Sequence, residues 1–111
     1  MSAYVIGLVE ITDLQQYREY MKHTPRLINQ FGGRFVARGG EAVTLEGEPL
    51  PRMVLIQFPS LEQVRAFYDS PEYVRARQLR MGAGHLRLTA IQGYSDDEWN
   101  EALRESSRHS I

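Results

Sequence analysis

Arg38 ends the strand-like stretch Arg34–Arg38, immediately before the stop signal Gly39-Gly40. On strict alternation it shares a face with Arg34 and Val36, while Phe35 and Ala37 share the other. The apolar face should pack on helices, so Arg38 is expected to point away from them. A guanidinium placed there can hold a carboxylate, phosphate or carbonyl oxygen through its planar set of donors. It can also close a structural ion pair, with Glu10 as the partner in reach of that face, or steady the turn before Gly39. Gln57, Arg87 and Thr89 are read onto the same side. Gln57 alternates with Met53 and Leu55, and Thr89 with His85, Arg87 and Ile91. The four residues would make a basic, hydrogen-bonding lining for a ligand; the plainer alternative is polar filling of a seam between two sheets.

His23 stands two residues before Pro25, where a helix must break and leave a backbone carbonyl unpaired. Its ring could bond that carbonyl, or act as a general base at the mouth of a cleft. His85 and His109 complete the set of three, and none is followed at i+3 or i+4 by a His, Asp or Glu in a recognisable ligand motif. Cysteine is absent, which excludes thiol nucleophiles, disulfides and thiolate metal sites. No metal or other cofactor is expected. Tyr17, Tyr20, Phe67, Tyr68 and Tyr73 recur at helical spacing, as either core or a ligand cage; Tyr68 joins the candidate ligand contacts. Neither Gly39-Gly40 nor Gly82-Ala83-Gly84 has the setting of a phosphate loop, and there is no serine elbow or paired-carboxylate motif.

These residues need elements to carry them. Ala3–Ile11 is short and rich in Val and Ile, hence a strand. Thr12 and Gln15 have capping-box spacing ahead of a helix that Pro25 should kink or divide and Gly32-Gly33 should end. Arg34–Arg38 and Arg52–Phe58 read as strands, with Ala42–Glu46 as a strand extension before the loop at Gly47–Pro51. Ser60 with Gln63 opens a second helix, and Ser70-Pro71-Glu72 restarts it. His85–Tyr94 alternates as the last strand. Ser95 with Glu98 caps a terminal helix bearing Trp99, Ala102 and Leu103, and a frayed tail is expected from Ser106 to Ile111.

The order strand, helix, strand, strand, helix, strand predicts an α+β, ferredoxin-like β-α-β-β-α-β domain over residues 1–94. Its helices cover one face of a four-stranded antiparallel sheet, and residues 95–111 form a helical extension. The other sheet face has no helices of its own. Yet Tyr4, Ile6 and Leu8 on the first strand, and Met53 and Leu55 on the third, are apolar. Pairing with the sheet of a second copy would cover them, so a homodimer is expected.

The 111 residues suit one domain, 42% hydrophobic and 24% charged, with a net charge of −1. That balance gives no electrostatic case for nucleic acid or an anionic membrane. The apolar run Tyr4–Val9 is too short for a signal or membrane segment, and a cytoplasmic location is expected.

Tyr17 with Tyr20, Gly32-Gly33-Arg34-Phe35, Arg38-Gly39-Gly40, Leu45-Glu46-Gly47, Phe58-Pro59-Ser60 and Phe67-Tyr68-Asp69-Ser70-Pro71-Glu72-Tyr73 occur in this order. In these the chain resembles the domain of unknown function 1330 family, within the dimeric α/β-barrel superfamily, over roughly residues 3 to 94. The resemblance implies a ferredoxin-like fold that dimerises through its sheets, and brings no set activity. Gln57 departs from it, standing where an acidic residue is frequent in the family, and residues 95–111 run past the usual end. The superfamily's members include cofactor-independent oxygenases and isomerases, haem-handling enzymes and stress-related modules. Three readings follow: a homodimeric protein binding a small polar or anionic molecule; a cofactor-independent isomerase or monooxygenase using His23 and Arg38, if these converge on one cavity; or an interaction module with no ligand.

Overall fold

The computed structural model describes residues 2–109. The elements are β1 (Ala3–Ile11), α1 (Leu14–Met21), α2 (Thr24–Gln30), β2 (Arg34–Arg38), β3 (Arg52–Phe58), α3 (Leu61–Asp69), α4 (Pro71–Gln78), β4 (Gly84–Gln92) and α5 (Asp96–Ser107). The sheet order is β2-β3-β1-β4, and every neighbouring pair is antiparallel. This is the ferredoxin-like α+β arrangement, with α5 appended.

Register assigns the two faces. Val5 of β1 lies opposite Ile56 and Ala90, and Gly7 opposite Val54 and Leu88. This set faces the helices, and Val5 and Ile56 are buried there with Leu27, Ile28, Val64, Phe67 and Tyr73. Ile6 lies opposite Leu55 and Thr89, and Leu8 opposite Met53 and Arg87. This second set forms the outer face, where Ile6, Met53 and Ile91 are exposed.

Both helical stretches are divided by proline at a first turn. Pro25 lies in the first turn of α2 and Pro71 starts α4, positions where the missing N–H would have had no helical acceptor. Ser70 bridges the second division: its hydroxyl donates to Phe67 O at 2.8 Å and accepts from Tyr73 N at 3.1 Å. The carbonyl freed at the first division, Met21 O, is bonded by Thr24 Oγ1 at 3.3 Å and not by the His23 ring, as the sequence suggested. A tilted aromatic stack runs through the core, with ring centroids of Phe58 and Phe67 at 5.2 Å and of Phe67 and Tyr73 at 4.4 Å.

Two local expectations are corrected. Asp13, not Thr12, caps α1, its carboxylate accepting from Gln16 N. The backbone N–H groups of Thr12 and Asp13 both donate to Ala83 O, at 2.8 and 3.0 Å, which fixes where the chain turns into the helix. Ala42–Glu46 is not a strand. The last β2–β3 pair is Arg38 with Val54, and the chain leaves the sheet there through Gly39 at φ +73°, so Val43 and Leu45 stay exposed.

In α5 the Ser95–Glu98 capping box forms in full, and no residue of the helix is buried. The helix continues through Ser107, past the point where fraying was expected, and residues 110 and 111 lie outside the described residues. A chain ending at Ser95 is therefore expected to stay folded, with a melting temperature within about 4 °C of the full chain. Circular dichroism melts check this; an unfolded shortened chain would make α5 part of the core.

Candidate functional site

The β2–β3 ladder carries a register shift between Phe35 and Ala37. Phe35 pairs with Ile56 and Arg38 with Val54, so both sit over helix-facing residues of β3, although three positions apart. One extra residue in a strand flips the facing of all that follow. Arg38 thus lies on the helix side, opposite to the side strict alternation assigns. Its guanidinium stacks over the Phe35 ring at 4.3 Å from the centroid. Among the described residues no carboxylate lies within ion-pair distance of it. Glu10 belongs to the outer face, opposite His85, and cannot be its structural partner.

Arg38 borders a cavity of about 400 Å³ between sheet and helices, within the size range of small-molecule sites. Its inner wall is apolar and buried, from Val5, Val9, Ile28, Ile56, Val64 and Phe67. Its solvent-exposed lining is mostly polar: Arg52 at the start of β3 and Arg65, Tyr68 and Asp69 of α3, with Thr89 and Ala90 of β4. Arg52 and Arg65 have no ion-pair partner among the described residues. Three arginines against one aspartate leave the rim positive.

Tyr17, Tyr20 and Tyr73 reach the cavity from α1 and α4. The Tyr20 and Tyr73 hydroxyls are 2.7 Å apart. Arg80 Nη2 approaches the Tyr73 hydroxyl at 3.5 Å, and its guanidinium lies 5.1 Å from the Tyr20 ring centroid. Burial raises the Tyr17 pKa above the usual phenol value, against the opposing pull of Arg80, Arg52 and Arg38. Burial, reinforced by Tyr73, raises that of Tyr20 far further. Both hydroxyls are therefore protonated donors at neutral pH.

The candidates from the sequence are split by this geometry. Arg38 and Tyr68 border the cavity, and Arg77 stacks on Tyr68 from outside at 4.7 Å. Thr89 also borders it, but register groups Thr89 with Ile6 on the outer face, so its share of the wall is main chain. Gln57 and Arg87 lie on the outer face, opposite Tyr4 and Leu8, and Gln57 donates to Ser2 Oγ at 3.1 Å. The expected grouping of Arg38 with Gln57, Arg87 and Thr89 on one face is therefore corrected. His23 lines a separate groove of about 420 Å³ with Arg26, Glu72 and Arg75, its Nδ1 3.4 Å from Arg26 Nη2. It does not converge with Arg38. Arg52 and Arg65 were missed; both occur at element positions where a solvated arginine is commonplace, and only the cavity distinguishes them. Among the described residues no group of three His, Asp or Glu side chains is placed to hold a metal ion, and no helix is long and apolar enough to cross a membrane.

Several solved structures share the fold. A protein of unknown function from Rhodopseudomonas palustris superposes with a TM-score of 0.69 at 18% identity, over 85% of this chain and 83% of that one. A dimeric ferredoxin-like protein of unknown function from Jannaschia sp. gives 0.64 at 13% identity, over 84% of this chain and 100% of that one. A candidate antibiotic biosynthesis monooxygenase from Nitrosomonas europaea gives 0.52 at 14%, over 85% and 92%. At these identities the likeness is one of fold. No curated protein matches the sequence. The family model described as Domain of unknown function (DUF1330) matches residues 2–94, and the chain belongs to that family.

Proposed function

We propose that this protein is a homodimeric small-molecule-binding protein whose ligand has an apolar body and an anionic head. The observation that carries this is the cavity: a buried apolar interior with a rim of arginines lacking carboxylate partners. A guanidinium held at the edge of a low-dielectric space favours an anion more than one in open water. The dimer is supported by the apolar outer sheet face and by the dimeric state described for the Jannaschia relative.

The isomerase or monooxygenase alternative needs a base in the same cavity. His23, the base considered from sequence, is in the other groove. Asp69, the one carboxylate among the described residues lining this cavity, sits at its solvent-exposed rim and not against the apolar interior, which favours binding over catalysis by His23 and Arg38.

The test is Arg38→Met, which keeps the stem and removes the charge. No carboxylate is left behind unpaired, so only the stacking on Phe35 is lost, and the unliganded protein should stay within about 1 kcal/mol of wild type. Affinity for 4-isopropylbenzoate, measured by calorimetry, should fall roughly tenfold or more. Unchanged affinity would remove Arg38 from the site, and a wild type indifferent to the benzoate would end the binding reading.

A further inference from the structure

The hydroxyls of Tyr20 and Tyr73 hold two hydrogens between them, and the 2.7 Å bond joining them uses one. The remaining hydrogen needs an acceptor. Arg80, the other polar group at the pair, is a donor only. Neither hydroxyl has a further hydrogen-bond partner among the described residues. One buried hydroxyl hydrogen is therefore left without a protein acceptor.

Either hydroxyl can be the donor in the pair; when Tyr73, which Arg80 Nη2 approaches at 3.5 Å, donates to Tyr20, the unmatched hydrogen is that of Tyr20. Tyr20 is 8% exposed and Tyr73 1%, and both line the cavity. The imbalance extends around them. Arg80 Nε is buried with no partner, and Arg80 makes no ion pair among the described residues. The Tyr17 ring lies 5.3 Å from that of Tyr20 and lines the same cavity. Buried donors are ordinarily matched; here the Tyr20–Tyr73 pair in the cavity wall and Arg80 Nε beside it each leave one hydrogen with no acceptor supplied by the described residues.

We propose that Tyr20, backed by Tyr73 and Arg80, is a second anchor that takes the carbonyl or similar acceptor oxygen of a ligand whose anionic head sits at the arginine rim. The ligand class is thereby an aryl or short-chain carboxylate carrying a carbonyl away from its carboxylate. This rests on the reading of the cavity as a ligand site.

The probes are 4-acetylbenzoate and 3-(4-acetylphenyl)propanoate, two lengths of one design, each compared with its isopropyl counterpart of matching shape and no acceptor. In wild type the better-fitting acetyl compound should bind roughly tenfold more tightly than its counterpart, the effect of one buried hydrogen bond. Tyr20→Phe should abolish that preference and leave isopropyl binding unchanged. Tyr73→Phe, which keeps the Tyr20 hydroxyl, should retain it. Equal affinities in wild type would overturn the second anchor while leaving the cavity reading intact, as would a preference that survives in Tyr20→Phe or is lost in Tyr73→Phe. No binding of any of the four compounds would overturn both. The wild-type comparison needs no variant and decides the matter if Tyr20→Phe does not fold.

Discussion

Replacing Gly84 by alanine is expected to destabilise the fold by about 3 kcal/mol or more. Gly84 opens β4 opposite Ile11 of β1. A Cβ built there meets the Glu10 carbonyl oxygen and the Ile11 Cα, both main-chain atoms of the paired strand. No rotamer relieves such a clash; the strands must separate. The approach to β4 has little freedom to adjust, because Ala83 is fully buried and its carbonyl receives the Thr12 and Asp13 N–H groups. Gly33→Ala should be comparably damaging for another reason. Its Cβ would lie 2.7 Å from the Phe58 ring and 2.9 Å from Ile28, two side chains almost wholly enclosed in the core. Gly40→Ala is the control: nothing lies within 4 Å of the added carbon, so stability should stay within about 0.5 kcal/mol. Urea unfolding of the three variants measures this. A Gly84→Ala midpoint close to that of Gly40→Ala would show that β4 begins elsewhere.

The contrast between these glycines marks how far sequence reading reaches. Gly-containing stops, capping serines and prolines at helix starts are local signals, and they placed β1, β3, the division at Pro25 and the α3–α4 junction at Ser70. Facing is local only while a strand is regular. Arg34–Arg38 alternates cleanly in sequence, but the irregularity between Phe35 and Ala37 exists only against β3, and no residue type within β2 announces it. Arg38 was thus singled out for sound chemical reasons and assigned to the wrong side. Ala42–Glu46 failed similarly: its composition favours extended chain, but a strand exists only where a neighbour pairs with it. The Tyr20–Tyr73 pair joins residues 53 apart in sequence, so its donor surplus could not be counted before the fold brought them together. Tyr68, by contrast, was legible as a partly polar position on an aromatic helix face.

Ile6→Glu should convert the proposed dimer to a monomer without unfolding it. Ile6 sits in the central strand β1, opposite Leu55 and Thr89, and is 38% exposed in the single protomer. There a carboxylate remains hydrated, and the helix-facing core of Val5, Ile56 and Phe67 is untouched. Against a second sheet the same carboxylate loses its water; Tyr4, Leu8, Met53 and Leu55 around it supply no cation, and Arg87, diagonal to it on the same face, offsets only part of that loss. A two-fold interface repeats the defect in both protomers, and a buried charge without a full partner costs on the order of 3–5 kcal/mol. The dissociation constant should rise by on the order of a thousandfold even if relaxation absorbs half of that total. Sedimentation at micromolar concentration should show the wild type near twice the protomer mass of 12.8 kDa and the variant near that mass. Circular dichroism should show equal strand and helix content in both. A wild type that sediments as a monomer at high concentration would refute the dimer. A variant that stays dimeric would place the interface away from the open sheet face, with α5, whose Trp99 and Leu103 are uncovered in the protomer, as the surface to substitute next.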